Sequence, residues 1–367
     1  MCIEANYHEV FASDYFRKIC YPFKQPQESD AMNIQKFRPF NILSCLLMAM
    51  LPTAALADQA RNKSVVEQIV DAQVTLAKGP YKGLRANHTK GIVVSGTFTP
   101  AATASTLTKA AHLQDTPSKV TVRFSNAGGV PTIEDTNPGA NPRGIAIRFE
   151  LPDSSITDIV SLSVNAFPVS TPEAFLAFLN ARIATKADSP KPTPIEKMIA
   201  ETPSLQRFIA IPKPFPVSFA SLTYHGINAF QFTNAKGERH RIRYRIEPLD
   251  GQEFLTPEQV AAATPDYLFD ELPRRLEAGT VKFRLLAQVA EKNDVIHDPT
   301  VIWPEERKLV ELGILHLQAP VPDNAAAEKA LAFNPLILLD GIAPSNDPVL
   351  LARPGAYAVS VSRRTAP

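Results

Sequence analysis

Arg353 and Tyr357 stand four residues apart near the end of a 367-residue chain, within GIAPSNDPVLLARPGAYAVSVSRR, residues 341–364. On a helix that spacing stacks two side chains on one face, a turn apart. A guanidinium facing a phenol oxygen stabilises negative charge on that oxygen. An anionic phenol oxygen is a hard ligand of the kind ferric iron accepts. The pair alone is also what an ordinary surface helix contains, so its meaning depends on the rest of the chain. Pro354 and Gly355 separate the two residues. Proline disfavours the α conformation in the residue before it, and glycine weakens a helix interior. A helix kinked here and a helix starting afresh at Pro354 are both compatible with the pairing.

Five further segments precede this one. RANHTKGIVVSGTF, residues 85–98, puts Arg85, His88, Lys90 and Gly91 ahead of an alternating run. KVTVRFSNAGG, residues 119–129, leads to NPRGIAIRFE, residues 141–150, and then to TDIVSLSVNAFPVST, residues 157–171. HDPTVIWPEERKLVELGILHL, residues 297–317, holds the single tryptophan, Trp303. Taken jointly and in this order, these segments and the Arg–Tyr terminus resemble the haem catalase family from about Arg85 to Arg364. The short C-terminal and N-terminal flanks resemble its small members, the catalase-related peroxidases.

The resemblance implies a set of roles. Tyr357 becomes the axial ligand of the iron of haem b, with Arg353 tuning the tyrosinate and Arg85 and Arg123 anchoring the propionates. A guanidinium fork suits a carboxylate. His88 becomes the group that takes a proton from bound peroxide and returns it to the leaving oxygen, work that suits an imidazole. Ser125 would bond the far ring nitrogen and fix the tautomer. Asn165, three residues before Pro168, would orient peroxide with its amide. Arg143 reads as structural. Segment 297–317 reads as structural wrapping. His112, His225, His240, His297 and His316 lack a comparable context.

Departures from the family pattern carry expectations of their own. Asn141 stands where the family has Asp. Val169 and Ser170 replace the paired aromatics after the proline, which leaves Phe175 or Phe178 to flank the haem. Asn87 replaces an apolar channel residue, so a wider or more polar distal pocket is expected, one that favours bulky peroxides and weakens the two-peroxide dismutation cycle. The implied function is a haem-dependent peroxidase reducing hydrogen peroxide and organic peroxides with an organic electron donor, with weak catalase activity beside it. The rivals are a haem carrier or sensor, a donor-independent enzyme rearranging lipid hydroperoxides, and a barrel that binds no haem. His88, Ser125 and Asn165 together argue against the carrier, because storage needs no acid–base set.

The elements that must position these residues are short. Proline reaches 33 of 367 residues, roughly twice the usual 5%, so long connections divide the chain. Alternating runs at 91–98, 119–125, 143–150, 216–224, 227–233, 239–247 and 281–290 predict strands, with Asn234 to Gly237 a hairpin loop. Helical patterns cover 62–77, 172–186, 256–264, 267–278 and 322–332. Thr171-Pro172-Glu173 and Thr256-Pro257-Glu258 mark helix starts. Many antiparallel strands with peripheral helices define an α+β barrel class. The family implies a closed eight-stranded antiparallel barrel with the haem between barrel and helices.

Met32 opens MNIQKFRPFNILSCLLMAMLPTAALADQ. A basic stretch with Lys36 and Arg38, an apolar run from Ile42 to Leu51 and Ala55-Leu56-Ala57 before Asp58 make a secretory signal peptide. Its apolar run is short of the ~20 residues of a transmembrane span. The expected organisation is a mis-called extension at 1–31, a signal peptide at 32–57 and one catalase-like haem domain at 58–367, delivered to the periplasm without a lasting membrane anchor. All three cysteines, Cys2, Cys20 and Cys45, precede the cleavage site. The mature chain therefore has no thiol, which excludes disulfides, iron–sulfur clusters, thiol peroxidase chemistry and cysteine-ligated haem. A formal net charge of +1 suggests no nucleic-acid partner. The partners implied are a small peroxide and an organic electron donor, with a homo-oligomer left open.

Overall fold

The computed structural model describes residues 63–279 and 281–366. The expected extension, signal peptide and cysteines lie outside the described residues. Chain order runs α1 (Val65–Leu76), β1 (Gly91–Pro100), β2 (Ser118–Ser125), β3 (Gly144–Glu150), β4 (Ile156–Leu162) and α2 (Pro172–Ala184). It continues with α3 (Pro194–Glu201), α4 (Pro203–Ala210), β5 (Tyr224–His225), β6 (Phe230–Thr233) and β7 (Arg239–Pro248). The last third holds α5 (Pro257–Ala262), α6 (Tyr267–Ala278), β8 (Val281–Val289), β9 (Leu309–Pro320), α7 (Asn324–Ala330), β10 (Ile342–Pro344) and α8 (Pro348–Thr365).

β1 to β4 form an antiparallel meander, β4 pairs with β5, and β5 with β7. β7 pairs with β8, β8 with β9, and β9 returns to β1, which closes an eight-stranded antiparallel barrel. β6 continues along the same edge of β7 that β5 occupies, and β10 adds outside β6. Closure removes the open edges that a flat sheet would expose.

The period of two decides which residues see the site. Along β2, Val120, Val122 and Phe124 enter the barrel core, so Arg123 and Ser125 point outward. Along β3, Ile145, Ile147 and Phe149 point inward, so Gly144, Ala146 and Arg148 alternate with them. Aromatic rings fill the barrel. Phe98 meets Phe149 edge-on at 5.1 Å, and Phe124 stacks on Phe219 at 5.5 Å. Offset and edge contacts of this kind suit the ring quadrupole.

The helices form an outer layer. α1 and α2 share a small apolar cluster of Ile69, Ala72 and Leu179, and α8 packs against α1. Threonine caps open α2, α3 and α5, each followed by proline in the first helical turn. α8 runs unbroken through Pro354, with Asp347 capping its first turn by accepting from the Val349 and Leu350 amides. Of the two expected alternatives for this segment, a start afresh at Pro354 does not occur. The capped turn and the buried Leu350 offset an internal proline that costs about 3 kcal/mol.

Several expectations need correction. Residues 216–224 do not form a strand: Phe219–Ser221 is a 3₁₀ turn in which Ser218 accepts from the Ala220 amide, and only Tyr224–His225 joins the sheet. The end of segment 297–317 is barrel strand β9, not wrapping. β4, α3 and α4 lie where the sequence patterns predict no element. Within β7, Arg243 is buried over the Trp303 ring at 4.5 Å. Asn234–Gly237 is the expected tight turn, with the Asn234 carbonyl side chain accepting from the Lys236 and Glu238 amides at 3.0 Å.

Candidate functional site

A cavity of about 250 Å³ lies between the outer face of β2, β3 and β4 and the helices α1, α2 and α8. Most of its wall is apolar, supplied by Ile69, Val160, Leu162, Phe167, Phe175 and Phe333 among others. His88, Ser125, Arg85, Arg123, Arg353 and Tyr357 all line it. The pattern of the chain spreads these six residues over more than 270 positions; the barrel and α8 bring them together.

At one side, the Tyr357 phenol oxygen accepts two bonds from the Arg353 guanidinium, from Nε at 3.0 Å and Nη2 at 2.8 Å. Helical spacing supplies the register. Arg353 is itself held, because its Nη1 donates to Asn228 Oδ1 at 2.7 Å. Asn228 Nδ2 donates in turn to Asp347 Oδ2 at 2.6 Å, and both Asn228 and Asp347 are buried. Burial raises the Asp347 carboxyl above its ordinary range, against the Asn228 bond and the α8 amides that lower it. Asn228 and Asp347 were not found from the sequence, since neither has a spacing that ties it to Arg353.

At the other side, the His88 ring Nδ1 lies 3.0 Å from Ser125 Oγ. His88 has φ of 51°, the left-handed region. Such a residue is held only where its surroundings over-determine it. Here Arg123 Nη2 donates to the His88 carbonyl at 2.7 Å, the Thr89 hydroxyl donates to the Arg85 carbonyl at 2.6 Å, and the Gly128 amide donates to Asn87 Oδ1 at 2.9 Å. Gly144 makes the seat for the ring. A Cβ there would stand 2.8 Å from Ser125 Oγ and 3.0 Å from His88 Nδ1. Burial, then Arg123 and Arg353, push the imidazole down to about 3, so it is neutral at neutral pH. Nδ1 is engaged by serine, which leaves Nε2 as the ring nitrogen free to exchange a proton.

Below this turn, Lys90 Nζ donates to Asp135 Oδ1 at 2.7 Å, and Asn126 Nδ2 donates to the same oxygen at 2.7 Å. Arg143 is completely buried and donates to Asn126, the Asp135 carbonyl and, at 3.0 Å, the Ala140 carbonyl. Its structural reading agrees with these contacts, none of which reaches the cavity.

At a third corner, Arg85 and Arg123 both pair with Glu328 of α7, Arg123 Nε at 2.6 Å. Arg364 lies beside them and donates to the Leu331 and Lys329 carbonyls. Burial, then Arg123, lower Arg85 to about 9. Arg85 and Arg123 share the Glu328 carboxylate, and Arg364 adds a third guanidinium beside that pair. Neither Glu328 nor Arg364 stands out in the sequence, because a lone acid in a helical pattern and a trailing arginine are both common surface features.

Asn165 does not line this cavity. It lines a separate space of about 20 Å³ with His225, Arg243 and Trp303. Residues 163–165 form a bend after β4, and the Phe167 amide donates to the Pro299 carbonyl at 2.8 Å. That bend turns Phe167 into the cavity wall and Asn165 away from it. The amide expected to orient peroxide is therefore out of place for that task. Of Phe175 and Phe178, Phe175 lines the cavity and packs on Phe167 at 5.1 Å. Asn87 lines the cavity while its carbonyl side chain is occupied by Gly128.

The class of protein that this barrel and cavity define is also the one its relatives occupy. The Catalase family model matches residues 83–367. A catalase-related peroxidase of Synechococcus elongatus is 34% identical over 287 residues, covering 77% of this chain and 84% of that one. A catalase-related peroxidase of Mycolicibacterium paratuberculosis is 33% identical over 308 residues, covering 82% of this chain and 94% of that one. Among solved structures, catalase A from Saccharomyces cerevisiae superposes with a TM-score of 0.67 at 21% identity, over 94% of this chain and 69% of that one. A bacterial catalase gives 0.68 at 20% identity, over 95% and 69%. These two show the fold. The chain belongs to the catalase family, and its more similar relatives place it with the catalase-related peroxidases.

The family generally binds haem, and the residues present fit one. A phenol oxygen fixed by a guanidinium faces an apolar cavity, and three arginines with a single carboxylate leave positive charge at one corner for a dianion. Tyr357 would hold the iron, and Arg85, Arg123 and Arg364 the carboxylate edge.

Proposed function

We propose that this chain is a haem b peroxidase that reduces hydrogen peroxide and organic hydroperoxides with an organic electron donor. The observation that carries the reading is the coincidence, on one cavity, of the Arg353-held Tyr357 phenol and the neutral, serine-held His88. Haem supplies the redox chemistry once bound. His88 Nε2 takes the proton from the incoming peroxide and returns it to the leaving oxygen, and Ser125 keeps the ring in the orientation that allows both. Asn228 and Asp347 hold Arg353 against Tyr357. Overall, peroxide takes two electrons and two protons from the donor and leaves as an alcohol and water, or as two waters.

With Asn165 facing another cavity, His88 and Ser125 are the pair left to handle the peroxide proton. Delivery to the periplasm through the signal peptide starting at Met32 belongs to the same proposal and rests on residues 36–57 of the sequence.

The test is an absorption spectrum of the purified protein and of Tyr357→Phe, followed by hydrogen peroxide with and without a phenolic donor. A high-spin ferric Soret band, lost or shifted in the variant, and donor-dependent turnover are expected. Donor-independent oxygen release as the main reaction would make the chain a catalase. No haem after haem-sufficient expression would overturn the reading.

A further inference from the structure

α7 is held without a core. None of its residues is buried, so its attachment to the barrel is polar. At its start, Asn324 accepts from the Val93 amide at 2.8 Å and donates to the Gly91 carbonyl at 3.2 Å. At its end, the carbonyls of Glu328, Lys329 and Leu331 have no partner further along the helix. Arg85 donates to the Glu328 carbonyl at 2.7 Å and to Leu331 at 2.6 Å, and Arg364 donates to Lys329 at 3.3 Å and to Leu331. The Glu328 carboxylate completes the closure by bridging Arg85 and Arg123. Gly91 leaves room for this bridge: a Cβ there would stand 2.7 Å from Glu328 Oε1 and collide with the Arg123 guanidinium.

The same arginines line the cavity. Three positive charges against one negative leave a net of two, the charge of a porphyrin's two propionates. Glu328 and those propionates therefore draw on one set of guanidinium N–H groups. We propose that Glu328 is the protein's own counter-anion for the propionate-anchoring arginines, a latch that closes α7 in the absence of haem and that opposes the binding of porphyrin carboxylates. The proposal rests on the haem reading given above. Two ligands of one charged site are coupled, and the coupling is reciprocal. The latch keeps the arginine corner compact and paired before the cofactor arrives, at the expense of some affinity once it does.

The chain prepared free of haem, with Glu328→Gln and Glu328→Asp, tests this with two probes: haem and its dimethyl ester, which lacks the carboxylates. Fluorescence quenching of Trp303 and Soret titration both report binding. Glu328→Gln is expected to bind haem about tenfold more tightly than the parent, a difference of about 1.4 kcal/mol, and the dimethyl ester within about twofold of it. Its haem-free form is expected to melt several degrees lower, with the gap narrowing on haem addition. Glu328→Asp keeps the charge and is expected to follow the parent. Haem affinity that is unchanged or weaker in Glu328→Gln, or equally raised for haem and ester, overturns the latch while leaving the haem reading intact. Failure of the parent to bind haem overturns both. A Glu328→Gln chain that does not fold leaves Glu328→Asp to decide, where ester-to-haem selectivity different from the parent's would also overturn it.

Discussion

In the proposed reaction the proton passes through a single imidazole held in a strained backbone position. His88 sits at positive φ, clamped by Arg123 from one side and by the Asn87–Gly128 contact from the other. Its neutral form at neutral pH follows from burial and three neighbouring guanidiniums. Replacing it with glutamine keeps a polar side chain but removes the proton shuttle. His88→Gln is expected to lower donor-dependent peroxide turnover by about 10²–10⁴-fold while the Soret band persists, as stopped-flow kinetics on the haem-loaded variant would show. Asn165→Ala provides the contrast. Because Asn165 faces the cavity of Arg243 and Trp303, its removal is expected to change turnover by less than about threefold, an effect below 1 kcal/mol. A loss comparable to that of His88→Gln would return Asn165 to the reacting centre. Spacing made Tyr357 and Arg353 legible, since a helix fixes the direction of residues four apart. Asn165 was misplaced for the opposite reason: a bend sets its direction, and a count of residues to the next proline carries no information about which way a bend faces.

Strand β3 contributes to the site chiefly by what it omits. Gly144 opens it opposite Ser125 in the β2 register, and the space a side chain would take holds the His88 ring. Gly144→Ala is expected to leave the barrel folded, with its midpoint in urea little changed. It should push the imidazole off Ser125 and reduce peroxide turnover about ten- to a hundredfold, and part of that loss should return in Gly144→Ala/Ser125→Ala, where the crowded hydroxyl is gone. Wild-type kinetics in Gly144→Ala would mean that the ring has room elsewhere. Elements differ in how much of this could be read beforehand. The residue types of β2, β3 and β7 alternate, with Val120, Val122 and Phe124, then Ile145, Ile147 and Phe149, then Ile242, Tyr244 and Ile246 set on the core face. β4 is harder to read because its sequence, ITDIVSL, does not alternate in residue type and buries the polar Thr157, Asp158 and Ser161. α3 opens on Thr193-Pro194-Ile195-Glu196, a capping box of the kind that also opens α5, so the sequence does carry a start signal for it. Phe219–Ser221 resembles a strand in composition, but serine side chains bond the local backbone and fold it into a turn.

At the scale of the whole molecule, three histidines among the described residues are held in neutral form by burial. His88 and His112 are pushed down to about 3 and His225 to about 4, each mainly by burial. An imidazole in the unfolded chain titrates near 6.5. Above that pH both states are neutral and these residues leave stability independent of pH. Below it the unfolded chain binds protons that the folded chain refuses, so stability falls as pH drops from about 6.5 toward 3–4, where the folded histidines also protonate and the loss levels off. His112 isolates the effect, because it lies away from the cavity, packs on Phe149 at 4.9 Å and has no partner for either ring nitrogen. Charging it inside the aromatic core would leave a cation with nothing to bond. His112→Leu is therefore expected to raise the melting temperature modestly at pH 7.5 and by a larger margin at pH 5, with a shallower slope of stability against pH between. Urea denaturation of the haem-loaded protein at pH 7.5, 6 and 5 measures that slope. Parallel curves for parent and variant would mean that the folded state protonates His112 as readily as the unfolded chain does, and that the interior of the barrel admits a proton and the water to carry it.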